Sequence, residues 1–80
     1  MKIYWHNGSK NIIGKKVREA RQKTKPILTQ QDLSARLNVI GVNIDRVSIS
    51  KIESGDRFVA DYEVVAIADA LGVSLDWLLR

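Results

Sequence analysis

Apolar residues recur at helical spacing along most of the chain. Ile13, Val17 and Ala20 lie three or four positions apart, and Leu33 and Leu37 repeat that interval further on. Such spacing places side chains on one face of an α-helix, whereas the strict alternation typical of strands appears only briefly. The pattern predicts an all-α fold in which each helix turns an apolar face towards a common core.

Capping residues divide this pattern into five predicted helices. Thr29 begins a Thr-x-x-Asp capping pattern, and Gly41, Gly55 and Gly72 follow apolar segments at positions where glycine commonly ends a helix. Pro26 prevents the first helix from continuing into the second. The predicted helices run from the N-cap Asn11 to about Lys23, from Thr29 to Gly41, from the N-cap Asp45 to Ser54-Gly55, from Asp61 or Tyr62 to Leu71, and onward from the cap Ser74.

The third predicted helix carries the most informative surface in the chain. Ile49 and Ile52 are three positions apart, so both side chains should face the core. The opposite side of this short helix is mixed polar and basic. Its outward residues are Arg46, Val47, Ser50 and Lys51.

The first ten residues do not fit the helical scheme. Ile3-Tyr4-Trp5 consists of residues typical of strands, and Asn7-Gly8 is a turn signal. A chain of 80 residues has room for one hydrophobic core and little else. We therefore predict an N-terminal arm, residues 1–10, followed by a single helical domain over residues 11–80.

Composition excludes most catalytic chemistry. The chain has no cysteine and one histidine, His6, so thiolate sites, histidine metal clusters and a Ser/His/Asp triad cannot be assembled within it. We expect no enzyme activity, no cofactor and no metal. No apolar run approaches the roughly 18 residues needed to span a bilayer, and no long apolar segment of a secretory signal is present. We therefore expect a cytoplasmic protein that does not contact a membrane.

Charge is distributed unevenly along the chain, whose formal net charge is +4. Residues 1–28 hold eight of the thirteen Lys and Arg and one acid, for a net charge of +7. Residues 29–57 are neutral, and residues 58–80 carry −3. This uneven distribution of charge is typical of a protein whose basic end attracts phosphate, although a basic helix that is merely solvated has the same composition.

Four sequence blocks stand in a recognisable order. They are IGKKVR at 13–18, LTQQDL at 28–33, ISKIESG at 49–55 and AIADALGVSLDWLL at 66–79. Together they resemble the phage-repressor and Cro-like (Xre-type) helix-turn-helix family over residues 11–79. One block would be weak support, but four in the right order are specific.

The resemblance implies a compact five-helix, lambda-repressor-like DNA-binding domain whose helix-turn-helix motif is formed by helices 2 and 3. It also implies a sequence-specific regulator of transcription, a repressor in the first instance, which binds double-stranded DNA with helix 3 in the major groove. A protein-interaction module, such as an antitoxin or an adaptor, remains the alternative. Salt-dependent affinity for DNA discriminates between the two.

The family pattern also assigns roles to individual residues. Base reading falls on the outward residues of helix 3 named above. Arg21 and Glu53 match a structural ion pair, and a homodimer is expected through the C-terminal helix with Trp77, Leu78 and Leu79. Contacts to the DNA backbone are expected from Gln30, Thr29, Asn43, Ser54, Lys15 and Lys25.

Two connections are longer than the family pattern. Leu37 and Asp45 are eight positions apart, which is five more than usual. We expect the additional residues to lengthen helix 2 by about one turn of 3.6 residues before Gly41 and to widen the turn that follows. The basic connection at residues 23–26 adds two further residues, which either track phosphates or are simply solvated.

Overall fold

Five α-helices account for the regular structure in the computed structural model, which describes residues 8–80. The predicted all-α class and the number of helices are confirmed. Of the predicted arm, residues 1–7 lie outside the described residues, and residues 8–10 lie beside the end of the third helix. The helices are α1 (Gly14–Lys23), α2 (Gln30–Ile40), α3 (Arg46–Ser54), α4 (Asp61–Leu71) and α5 (Leu75–Leu79).

One hydrophobic core receives side chains from all five helices and from the segments between them. In α3, Ile49 and Ile52 are each 1% exposed, as their spacing predicted. No helix within residues 8–80 is both long and apolar enough to cross a membrane. The largest fully buried side chains are Ile13, Val17, Leu33, Leu37, Ile49, Ile52, Ile67 and Leu78.

Most helix ends have the caps that the sequence predicted. Thr29 accepts a hydrogen bond from the Asp32 N–H at 3.0 Å, and the Asp32 carboxylate accepts one from the Thr29 N–H at 3.0 Å, which completes a capping box. Asp45 and Ser74 likewise accept from backbone N–H groups three residues ahead, and so cap α3 and α5. The two boundaries of α3, which positions the outward residues, are therefore locally encoded.

Asn11 caps the start of α1, although the helix begins later than predicted. It begins at Gly14, with Ile13 at the N-cap position. Asn11 Oδ1 accepts from the N–H groups of Ile13 and Gly14, two and three residues ahead, as an N-cap side chain does. Its amide group donates to carbonyls near the end of α3, a contact that the sequence did not predict.

The long connection between α2 and α3 is anchored to the domain. Helix α2 extends to Ile40, as the sequence predicted, and Gly41 ends it in the left-handed conformation with φ +98°. The turn then folds back, because Ile44 is buried in the core and the Ser34 hydroxyl donates to the Ile44 carbonyl at 2.8 Å. The start of helix α3 is thus fixed relative to the core, although this connection has five residues more than the family pattern.

The start of α4 lacks a side-chain cap because Ala60 has no oxygen to offer. Glu63 takes over part of that role, since its Oε1 accepts from the Ala60 N–H at 2.9 Å. The same carboxylate receives two hydrogen bonds from the Arg57 guanidinium, each 3.1 Å long. Hydrogen bonding from Arg57, followed by that from Ala60, holds the pKa of Glu63 below its ordinary value despite the opposing effect of burial.

Acid should therefore destabilise the protein partly through Glu63. A carboxyl group whose pKa is lower in the folded state stabilises fully above its unfolded pKa of about 4.3, and this contribution is lost as pH falls through the folded value. Glu63→Gln should flatten the fall in stability between about pH 5 and pH 3. Urea unfolding at a series of pH values measures this change.

The matched control variant removes an exposed carboxylate from α4. Asp69→Asn takes away an exposed side chain that makes no hydrogen bond among residues 8–80, so the acid-induced fall should stay as in the wild type. Capping carboxylates at Asp32 and Asp45, whose pKa values are lowered by hydrogen bonds from Thr29 and Ser48, keep part of the acid dependence in both variants. Equal pH profiles for Glu63→Gln and Asp69→Asn would show that the Arg57 contact contributes nothing.

Candidate nucleic-acid interface

Helix α3 presents its polar face to solvent. Because Ile49 and Ile52 pack inward, the opposite residues are all exposed, and Val47 retains 52% of its accessible surface. Nine residues make a helix about 13 Å long, so the exposed face extends over about two and a half turns. The exposed set contains all four predicted base-reading residues, namely Arg46, Val47, Ser50 and Lys51.

A buried ion pair joins α1 to α3. Arg21 Nε donates to Glu53 Oε2 at 2.6 Å, and Arg21 Nη2 donates to Oε1 at 2.8 Å. The Arg21 side chain retains 10% of its exposure and that of Glu53 7%, so the two charges are largely shielded from water. A third bond runs from Arg21 Nη1 to the Leu28 carbonyl at 3.0 Å. The structure thus brings together the two residues that the family pattern assigned to a structural pair.

Gln30 is connected to this pair in a way that sequence reasoning missed. It is the first residue of α2, and its Nε2 donates to Glu53 Oε1 at 3.1 Å. An amide nitrogen carries two hydrogens, so one remains for an anion outside the domain. Glu53 therefore links three helices and also orients the predicted phosphate-binding amide.

The ion pair and Gln30 line a surface cleft between α1, α2 and α3. The cleft has a volume of about 330 Å³ and opens beside the polar face of α3. It brings Gln30 together with Ser50 and Ser54, which were all predicted site residues. Its remaining walls come from Arg18 and Gln22, which were not predicted. Their i, i+4 spacing on α1, flanking the buried Arg21, is the signal that would have found them.

Several basic side chains form no hydrogen bond and no ion pair among residues 8–80. By contrast, Lys16 is used in the fold, since its Nζ lies 4.5 Å from the centre of the Trp77 ring and donates to the Trp77 carbonyl at 3.1 Å. Lys23 pairs with Glu19 at the surface. Unpaired cations are the groups available to an anionic partner. They are Lys15, Arg18, Lys25, Arg46 and Lys51.

The other predicted backbone contacts do not line the cleft. Lys15 borders a hollow beside Leu79 at the α5 end, and Lys25 lies in the connection between α1 and α2. Asn43 borders a separate groove next to Ser48, at the start of α3. The Thr29 hydroxyl oxygen serves the cap of α2. A DNA contact from these residues would involve phosphates on either side of the central cleft.

Leu78 needs a correction as a predicted dimer contact. Its side chain is 0% exposed, because α5 turns it into the core. Trp77 is half-buried beneath Lys16, while Leu79 remains 43% exposed. A contact between copies through α5 could therefore use Leu79, its exposed neighbour Leu75 and the accessible part of Trp77, but not Leu78.

A capped α2, an anchored turn and an α3 with an exposed basic face, all on a five-helix core, define a helix-turn-helix DNA-binding domain. The family model HTH_3, described as helix-turn-helix, matches residues 17–78. The chain therefore belongs to this family of DNA-binding regulators, and the resemblance inferred from its sequence is confirmed. Comparison of the chain with curated proteins and with solved structures found no significant match.

Proposed function

We propose that this protein is a sequence-specific repressor of transcription that reads double-stranded DNA with α3 in the major groove. One observation carries the proposal: the face of α3 opposite its buried isoleucines exposes two cations, a hydroxyl and an apolar side chain. Base edges in the major groove present acceptors, donors and the thymine methyl group, which these side chains complement.

Each exposed side chain has a distinct role in this proposal. Arg46, in the first turn of α3, donates two hydrogen bonds to O6 and N7 of a guanine. Val47 contacts a thymine methyl group, and Lys51 reaches a guanine or a phosphate. Ser50, which is polar but uncharged, contacts whichever base edge lies beneath the middle of the helix.

The cleft between α1, α2 and α3 would then hold the DNA backbone. Gln30 lies at the positive end of α2, and its second amide hydrogen donates to a phosphate oxygen. Arg18 supplies a cation on the neighbouring wall and Gln22 supplies further donors, whereas the Ser54 hydroxyl donates to the Lys51 carbonyl within α3 and would have to turn to reach a phosphate. These contacts fix the register of α3 on the duplex without reading sequence.

We further propose that two copies bind one operator. A single short helix covers only a few base pairs, so useful specificity needs a second copy on a half-site about 34 Å away. The exposed Leu75 and Leu79 of α5 are the surface proposed for the contact between copies. Repression follows from occupancy alone, because a protein bound over a promoter blocks the polymerase.

Selection of duplexes from a random pool, followed by footprinting, tests this proposal. We expect enrichment of an approximately palindromic site whose half-sites are separated by one turn of DNA, about 10 base pairs. A footprint over a single half-site would contradict the dimer. Failure to enrich any sequence over the starting pool would contradict specific DNA recognition.

A further inference from the structure

Asn11 uses its whole hydrogen-bonding capacity to join the start of α1 to the end of α3. Its Nδ2 donates to the carbonyl of Ile52 at 3.1 Å and to that of Arg57 at 2.8 Å. Its Oδ1 accepts from the N–H groups of Ile13 at 3.1 Å and Gly14 at 2.8 Å. Two donors and two accepted bonds are all that a side-chain amide ordinarily provides.

The backbone at the start of α1 is in direct contact with the backbone at the end of α3. Gly14 packs against the carbonyl groups of Ile52 and Glu53 so closely that a Cβ atom would not fit there. Before α1 begins, the Lys10 N–H also donates to the Gly55 carbonyl, at 2.8 Å. The Ile52 carbonyl lies in the last turn of α3 and also accepts from the Gly55 N–H, whereas Gly55 and Arg57 follow the helix, so these bonds hold the end of α3 against the start of α1.

We propose that Asn11 is a positioning residue that sets the tilt of α3 and thereby the ability of the domain to discriminate between DNA sequences. This inference rests on the proposed function. Lys51 lies five residues from Arg46, which corresponds to about 7.5 Å along the helix. A tilt of about 10° about the anchored start of α3 therefore moves Lys51 by about 1.3 Å, which is enough to break a hydrogen bond to a base.

Nonspecific binding should tolerate the same tilt. Phosphate contacts depend on charge and act over several ångströms, whereas base contacts need hydrogen-bond geometry. Loss of the Asn11 hydrogen bonds should accordingly lower affinity for the operator and leave affinity for random duplex nearly unchanged. A residue that only starts α1 would instead affect folding and would not alter the ratio of the two affinities.

Asn11 makes two sets of hydrogen bonds, one to the start of α1 and one to the end of α3, and two substitutions separate these halves of its contact. Asn11→Asp keeps an acceptor for the α1 N–H groups but places a carboxylate oxygen against the carbonyls of Ile52 and Arg57. Asn11→Ala removes both halves. Asp69→Asn is the matched control, because it exchanges a carboxylate and an amide at an exposed position of α4 whose side chain makes no hydrogen bond among residues 8–80.

Fluorescence anisotropy with operator and random duplexes, under conditions where each variant is folded, gives the ratio of the two affinities. We expect this ratio to fall roughly tenfold in both Asn11 variants, which corresponds to one lost base contact, and to stay at the wild-type value in Asp69→Asn. An unchanged ratio in Asn11→Asp, or an equal loss on both duplexes, would overturn the proposal.

A measurement on the free protein separates this inference from the proposed function. Residual dipolar couplings of the α3 amides report the orientation of α3 relative to α2 and α4 without any DNA. We expect that orientation to change in Asn11→Asp and to remain unchanged in Asp69→Asn. An unchanged orientation of α3 in Asn11→Asp would overturn the positioning role, whether or not the wild-type protein binds DNA.

Discussion

Replacing Glu53 by alanine should lower the free energy of unfolding by about 3 kcal/mol. The substitution leaves the buried Arg21 guanidinium without its counter-ion, with one remaining hydrogen bond to the Leu28 carbonyl. It also removes the acceptor that orients the Gln30 amide. Urea denaturation followed by circular dichroism measures the loss, which is a large fraction of the stability of a domain this small.

Two controls isolate the buried charge as the cause. Glu19→Ala breaks the exposed pair with Lys23 and should cost less than about 0.5 kcal/mol. The double variant Arg21→Met with Glu53→Leu should recover most of the lost stability, because apolar residues of similar size commonly replace a buried ion pair without loss. A Glu53→Ala protein as stable as Glu19→Ala, with altered operator preference, would show that Glu53 contacts DNA and is not a scaffold.

Replacing Arg46 by alanine should weaken operator binding by about 1–3 kcal/mol and relax the preference at one base pair. Arg46 lies in the first turn of α3, is exposed, and has no partner within residues 8–80 that would hold it away from a base. Its removal should delete the proposed bidentate contact and leave the fold intact. Titration against a panel of operators, each with one base pair changed, measures the effect.

Lys15→Ala is the comparison for this experiment. Lys15 is an exposed cation on α1, away from α3, and is proposed to contact a phosphate. It should weaken binding by a similar factor on every sequence and reduce the salt slope by about one. Uniform weakening in Arg46→Ala as well would show that Arg46 contacts the backbone and does not read a base.

The helices were predictable where their signals are local. Capping boxes, N-caps and C-terminal glycines act within four residues, so Thr29, Asp45, Ser74 and Gly41 marked helix ends correctly. The outward face of α3 was also predictable, because it is the complement of the buried pair of isoleucines on a helix. The extension of α2 ahead of the turn was predicted differently, from the five residues by which this connection exceeds the family pattern.

Contacts between distant residues were not predictable in the same way. Asn11 and Ile52 are 41 residues apart, and no local pattern shows that an amide near the start of the chain holds the end of α3. The bond from Gln30 to Glu53 depends on how α2 approaches α3. Leu78 and Leu79 are adjacent leucines on a five-residue helix, and only the packing of α5 decides which of them is buried.

Affinity for duplex DNA as a function of salt tests the central claim most directly. A DNA-binding domain that neutralises several phosphates should lose affinity steeply, with log K falling by about 0.9 per phosphate contact for each tenfold rise in salt. We expect this behaviour for operator and random duplexes alike, with the operator bound more tightly throughout. Immeasurable affinity for both duplexes even at low salt would contradict the account and favour a protein-interaction module.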